Sequence, residues 1–389
     1  MPPAAPPRKL IPRDRAPSFF ASLKSREYRE HRNAKDSIRS IAWNNHGNRI
    51  ACGLIDRLVR VWNPEKPEIR YSTELKGHSG AVEKIQWDPT HSDRLASAST
   101  DGTVRFWDYR SECWGVCLIW KNTIAMGCGK ANLVLMGLTG AKCLNQVNTG
   151  GENISLTYSP DGDYVAVGTK VGQTRHSYHR QFNTNSNSKD DTISFIDTRQ
   201  NQIIKTHKEN VQTNQIIWSH NGDVLFLSTG SGLVKLREWP SLDLLHTIDA
   251  HTSACFCLEL EPRGSLLAVG GSDAIVSLWD TKEWTCPRTL SKMESPVRSL
   301  GFSFDGAYIC AGSDEPIDIE IVRTTFLIKC TKCIANSQYQ VHVETGDYVH
   351  TIPTNHAVLS VAWHPSRYHL AYSGDLTGLK IVGAASPMA

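Results

Sequence analysis

The chain has 389 residues, 40% hydrophobic and 21% charged, with a formal net charge of +3 at pH 7. That balance excludes a disordered chain and gives no composition-level sign of a general nucleic-acid binder. The opening residues are Pro-rich and basic rather than a charged stretch followed by an apolar run, and no segment approaches 18 uninterrupted apolar residues, so neither a secretory leader nor a membrane span is expected. The 11 cysteines sit at irregular spacings and read as reduced thiols of a cytosolic or nuclear protein.

Residues 1–23 read as a Pro-rich, basic, disordered tail. Residues 1–36 hold nine Lys/Arg against four Asp/Glu, with Arg8, Lys9, Arg13 and Arg15 in the Pro-rich part. Such a tail suits nuclear import or a weak, salt-sensitive RNA contact. Phe19, Phe20 and Leu23 have the spacing of a short apolar helix face, expected to pack on the folded body. Residues 24–32 read as a strand that the C-terminal end of the chain could pair with.

From there a repeat begins. An aromatic or large apolar residue ends an apolar strand and is followed by a polar turn, at Trp43, Trp87, Tyr158, Trp218, Leu260, Phe302 and Trp363. After each turn comes a small-residue strand, then a strand ending in Trp-Asp or a relic of it. Seven copies of about 42 residues with Gly-His and Trp-Asp marks predict an all-β, seven-bladed WD-repeat β-propeller over residues 24–382, with a short tail at 383–389. A four-stranded blade cannot bury both faces alone. A closed ring buries them and removes long free edges.

A buried indole N–H needs an acceptor. In WD repeats it is met by a Trp–Ser/Thr–His–Asp chain. Blade two resembles this fully, with His78, Ser97, Asp101 and Trp107. Blade five keeps His251, Asp273 and Trp279 but has Val269 where the serine would align. Blade one keeps Asp56 and Trp62, with His31 as the expected histidine. The sets in blades three, four, six and seven are degraded, and Leu236 lies near the tryptophan position of blade four.

The landmark spacings are 44, 71, 60, 42, 42 and 61. The three long ones exceed a 42-residue blade by 29, 18 and 19. Residues 112–141, 171–188 and 323–341 break the pattern, and removing each restores an ordinary blade. They hold five of the 11 cysteines, and Val171 and Val322, at two junctions, have codons that begin with GT. We read them as translated introns, against ordinary rim insertions. They are expected to be irregular excursions, the last one interrupting the third-to-fourth-strand connection of blade six.

No catalytic constellation emerges. His78 and His251 belong to the repeat, Gly127-Cys128-Gly129 lacks phosphate-loop spacing, and Cys330 and Cys333 have no matching second pair for zinc. No cofactor, metal, small-molecule substrate or enzymatic activity is expected. Blade two ends in Trp107-Asp108-Tyr109-Arg110, which resembles the box that docks WD-repeat substrate receptors onto cullin-4 ubiquitin ligases. That gives one alternative function.

Longer strings carry a more specific resemblance. Asn148 to Gly168 (NTGGENISLTYSPDGDYVAVG), Ser272 to Asp280 (SDAIVSLWD), Ser295 to Gly306 (SPVRSLGFSFDG), Ile317 to Val322 (IDIEIV), Glu344 to Asp347 (ETGD) and Ser360 to Pro365 (SVAWHP) resemble, in order, the subunit 3 family of the THO complex. The Gly-Glu-Asn-Ile lead-in to blade three is more specific than any Trp-Asp, because it replaces the usual Gly-His. The resemblance spans about residues 24–382. It implies a non-catalytic, nuclear scaffold subunit of THO and TREX. The implied partners are the large helical THO subunits and mRNA export factors.

Overall fold

The computed structural model describes residues 11–28, 37–64, 72–109, 118–120, 123–125, 142–170, 191–313, 319–323, 348–354, 357–374 and 378–383. Seven four-stranded antiparallel sheets follow one another. Blade one is Ile38–Trp43, Ile50–Leu54, Val59–Trp62 and Thr73–Leu75. Blade two is Val82–Trp87, Arg94–Ser99, Thr103–Asp108 and Lys142–Asn148. Blade three is Glu152–Tyr158, Tyr164–Lys170, Asp191–Asp197 and Gln202–Glu209. Blade four is Thr213–Trp218, Val224–Thr229, Leu233–Glu238 and Leu244–Asp249. Blade five is Cys255–Leu260, Leu266–Gly271, Val276–Asp280 and Arg288–Leu290. Blade six is Val297–Phe302, Tyr308–Ser313, Ile319–Arg323 and Tyr348–Ile352. Blade seven takes Val361–Trp363, Leu370–Gly374 and Gly378–Gly383, and Lys24–Tyr28 is its fourth strand, pairing Lys24 with Gly383 through Tyr28 with Leu379. The two ends of the chain therefore close the ring, as the sequence led us to expect.

Each of the seven landmark residues ends the innermost strand of its blade. Three tryptophans show why that position favours an indole. Trp43 Nε1 donates to the Ala362 carbonyl at 3.1 Å, Trp87 Nε1 to Ala42 at 3.0 Å and Trp363 Nε1 to Gly301 at 3.0 Å, each time in the preceding blade. The residue after the bulge of the innermost strand adds a second tie. The Ile41, Ile85, Ile216 and Val361 amides donate to the hydroxyls of Ser360, Ser40, Ser155 and Ser299, one blade back. In blade two that position is Lys84, and Gln86 instead accepts from the Tyr158 amide at 2.8 Å. Polar backbone that faces the next blade is thus satisfied within the ring. Between the sheets lie apolar clusters shared by neighbours, such as Ala96, Ala98 and Val104 of blade two with Leu156, Val165 and Val167 of blade three.

The N-terminal segment requires a correction. Part of the expected disordered tail is a helix, α1 (Ala16–Ser22), packed against blades six and seven. Phe20 is buried, with its ring 5.0 Å from Tyr308 and 6.2 Å from Trp363. Residues 1–10, the segment carrying Arg8 and Lys9, lie outside the described residues.

The three pattern-breaking segments also lie mostly outside the described residues. Each is bounded by strands that pair directly. Asp108 faces Lys142, Thr169 faces Thr192, and Val322 faces Tyr348. The third does fall between the third and fourth strands of blade six. The expectation of wholly irregular structure needs adjustment in two places. Leu118–Trp120 and Thr123–Ala125 pair as a small antiparallel hairpin, and Arg323 ends the third strand of blade six.

Candidate functional site

Blade two brings its four polar residues together. Trp107 Nε1 donates to Ser97 Oγ at 2.8 Å, Ser97 Oγ lies 2.7 Å from His78 Nε2, and His78 Nδ1 lies 2.9 Å from Asp101. A neutral histidine with its proton on Nδ1 satisfies every member: indole to hydroxyl, hydroxyl to imidazole, imidazole to carboxylate. Burial holds the His78 pKa below its ordinary value, against the opposing pull of Asp101. Asp101 also accepts from the Ser79 and Thr103 amides, each at 2.9 Å. Burial alone would raise its carboxyl, yet these hydrogen bonds and that from Thr103 Oγ1 hold it well below the carboxylate range. The chain ties the loop before the blade to its second and third strands.

Blade five assembles the same chain by another route. Val269 takes the second-strand position, but Ser277 sits directly opposite it on the third strand. Trp279 Nε1 donates to Ser277 Oγ at 2.8 Å, Ser277 Oγ lies 2.9 Å from His251 Nε2, and His251 Nδ1 lies 2.9 Å from Asp273. The signal for Ser277 was in the sequence: a serine two residues before the tryptophan, on the same face of the strand. Gly271 is required beside it, because a Cβ there would lie 2.3 Å from Asp273 Oδ1 and 2.6 Å from His251 Nδ1.

Blade one departs further. Asp56 and Trp62 are in place, but His31 lies outside the described residues. The serine position holds the fully buried Cys52, opposite Arg60. Burial drives the Cys52 thiol far above its ordinary pKa. Asp56 accepts from Arg60 Nη2 at 3.2 Å, and the buried Trp62 indole N–H has no acceptor among the described residues.

Two degraded blades carry substitutes. In blade three, the Gly-Glu-Asn-Ile lead-in buries Asn153 completely, and its Oδ1 accepts from Thr149 Oγ1 at 2.6 Å and Thr169 Oγ1 at 3.1 Å. Asn153 thus joins the preceding loop to the second strand, a task the histidine performs in blade two. Gly151 permits the approach, since a Cβ there would meet the Lys170 carbonyl at 2.8 Å. In blade four, strand register puts Arg237, not Leu236, at the tryptophan position, opposite Leu225. Arg237 Nε and Lys235 Nζ donate to the buried Glu209 of blade three at 2.5 and 2.8 Å, and Arg237 Nη1 donates to the Leu242 carbonyl. Burial would raise the Glu209 carboxyl, but these two cations outweigh it and hold it below its ordinary value.

The Trp-Asp-x-Arg box offers little to a ligase. Trp107 is 1% exposed and committed to the inter-blade core. Asp108 lies 4.0 Å from Arg94, and Arg110 lies outside the described residues, as do Cys113, Cys117, Cys128, Cys330 and Cys333. Among the described residues, no group of three or more His, Cys, Asp or Glu is arranged to hold a metal ion, and no helix is long and apolar enough to cross a membrane.

The WD domain, G-beta repeat family matches residues 23–63, 70–108, 242–280 and 284–315. Each match begins at the outer strand of the preceding blade; the first three then take in the three inner strands of blades one, two and five, which keep the polar chain or most of it, and the fourth the first two strands of blade six. THO complex subunit 3 of Arabidopsis thaliana is 36% identical over 358 residues, covering 92% of this chain and 91% of the relative. The chain belongs to the THO complex subunit 3 family. WD repeat-containing protein AAC3 of Dictyostelium discoideum is 29% identical over 75% of the chain and 56% of its own length. The Cps50 (Swd1) β-propeller domain of Myceliophteria thermophila superposes with a TM-score of 0.66 at 15% identity, over 93% of this chain and all of that one. That last likeness supports the propeller fold alone.

Proposed function

We propose that this chain is a non-catalytic scaffold subunit of a nuclear THO/TREX assembly, coupling transcription to mRNP packaging and mRNA export. The observation that carries the reading is near full-length similarity to a THO complex subunit 3. The polar groups at the heart of the blades are spent on one another. His78, Ser97 and Asp101, and likewise His251, Ser277 and Asp273, satisfy each other and an indole. What is left for function is surface, which suits a docking platform. The partners are the large helical THO subunits and the export factors that assemble with them. RNA contact is weak and salt-sensitive, carried by the basic N-terminal tail and not by the ring.

The test is purification of the tagged full-length chain from nuclei. Recovery of large helical THO subunits with an RNA helicase supports the reading. Recovery of cullin-4 with its propeller adaptor in their place overturns it in favour of a ubiquitin-ligase substrate receptor.

A further inference from the structure

Five large apolar side chains are exposed among the described residues: Leu144, Ile203, Ile204, Leu244 and Leu245. All five lie near the start of the outermost strands of three consecutive blades, two, three and four. Register explains three of them. In blade two, Cys143 pairs with Trp107 and Asn145 with Phe106, which leaves Leu144 as an extra residue. In blade three, Ile203 pairs with Ile196 and Lys205 with Phe195, leaving Ile204. In blade four, Leu244 pairs with Arg237 and His246 with Leu236, leaving Leu245. Each is the bulge residue of its strand, outside the ladder. Their exposures are 48%, 47% and 52%. An aliphatic side chain at such a place contributes little to the core.

A fourth blade shows what can cover this position. In blade six, Val322 pairs with Tyr348 and Ile321 with His350, so Val349 is the bulge residue. There α1 lies against the outer strand, and Val349 packs against the cluster that holds Ala16 and Phe20. Among the described residues, the chain covers one of four bulged rims with a short apolar helix of its own and leaves the apolar bulge residues of the other three exposed.

Among the described side chains, the outer strands of blades three and four carry Lys205 and Lys208, with His207 and His246. Their acids are Asp249 and the buried Glu209, which Lys235 and Arg237 neutralise. Lys205 Nζ also donates to the Pro240 carbonyl at 2.5 Å and the Ser241 carbonyl at 3.2 Å, which joins the rims of blades three and four. The result is a line of exposed aliphatic side chains with charges of both signs beside it, among them the exposed Asp243 immediately before Leu244. Bulges twist a strand edge and disfavour an added strand, so a helix fits better than an extended peptide.

We propose that the outer rim of blades two to four, centred on Ile203, Ile204, Leu244 and Leu245, docks the apolar face of an amphipathic helix of a partner protein, as α1 covers the same position of blade six. The proposal deepens the scaffold reading and rests on it. The test compares full-length wild type with an Ile204→Glu/Leu245→Glu variant, both tagged and purified from nuclei. Both side chains are exposed, so the variant is expected to melt within about 2 °C of wild type, since exposed substitutions change stability little. It is expected to lose at least tenfold of one helical subunit that wild type retains. A photo-cross-linker at Leu245 of the otherwise wild-type chain is expected to capture an identified amphipathic helical segment of that subunit. Full retention of every subunit by the variant overturns the docking surface and leaves the scaffold reading intact, as does cross-linking to a second copy of this chain or to an extended segment. A wild-type chain that brings down no THO subunit overturns the scaffold reading, and the proposed partner with it.

Discussion

Val269 and Ser277 face each other across the second and third strands of blade five, and the serine there reconnects Trp279 to His251. The hydroxyl has moved one strand sideways while the indole, imidazole and carboxylate keep their contacts. Ser277→Ala should therefore destabilise the chain by about 1–3 kcal/mol, the cost of leaving a buried donor or acceptor unpaired. Adding Val269→Ser to Ser277→Ala should recover at least half of that loss. Denaturant melts of the three variants check it; a double variant no more stable than Ser277→Ala would show that the strand position matters after all.

The two tryptophans at the same position of blades one and two should respond differently. Trp107 donates to Ser97, whereas the Trp62 indole N–H has no acceptor among the described residues. Trp107→Ala should cost about 3–5 kcal/mol, from the cavity and the lost partner of Ser97. Trp107→Phe should cost about 2 kcal/mol and Trp62→Phe less than about 1 kcal/mol, because only the first removes a made hydrogen bond. Equal losses for the two Phe variants in urea melts would contradict this account.

Acid should loosen the junction of blades seven and one. His364 Nδ1 accepts from the Ser366 and Arg367 amides, both at 3.1 Å, and its Nε2 donates to the Gly47 carbonyl at 3.1 Å. Burial, with the neighbouring charges of His369 and Arg367, lowers the His364 pKa to about 4. Burial and Arg367 lower His369 to about 4 as well. Unfolded, both bind protons near pH 6.5. Their contribution is complete above that pH and is lost as pH falls from about 6.5 toward 4, because the unfolded chain takes up protons that the fold refuses. The melting temperature should drop between pH 6.5 and 5, and His364→Asn should flatten that slope. An unchanged slope in thermal melts of the variant would remove His364 from the explanation.

Much of the ring was legible in the sequence, since the landmark residues mark inner strands that all must meet the same neighbours. Blade two was legible to the atom because its four residues follow the repeat in order. Ser277 was missed because it enters from the third strand: its linear mark, a serine two residues before Trp279, gains meaning only from the residue it faces across the strand pair. Arg237 was missed for the same reason: register, not similarity to tryptophan, places it opposite Leu225. Helix α1 was half-legible. The spacing of Phe19, Phe20 and Leu23 indicated a packed apolar face, while the proline-rich composition around it argued for disorder.

The three pattern-breaking segments leave and re-enter at hairpin necks. Without residues 112–141, 171–188 and 323–341, Asp108 and Lys142 would be joined by three residues, Lys170 and Asp191 by two, and Val322 and Tyr348 by six. These are ordinary connection lengths for strands already paired. We propose that the segments are translated introns, so a chain lacking all 67 of these residues should fold with a melting temperature no lower than that of the full chain. Transcript reads should span the three joins. Transcripts that always include all three segments, without GT and AG at their borders, would end the proposal.

The central claim is that this propeller is a THO subunit which works by docking. Purification of the tagged full-length chain from nuclei at moderate salt, with identification of every stoichiometric partner, tests it most directly. The account predicts large helical THO subunits in near-equal amount, with an associated RNA helicase. A stoichiometric cullin-4 assembly, or a monomer with no THO subunit attached, would contradict it.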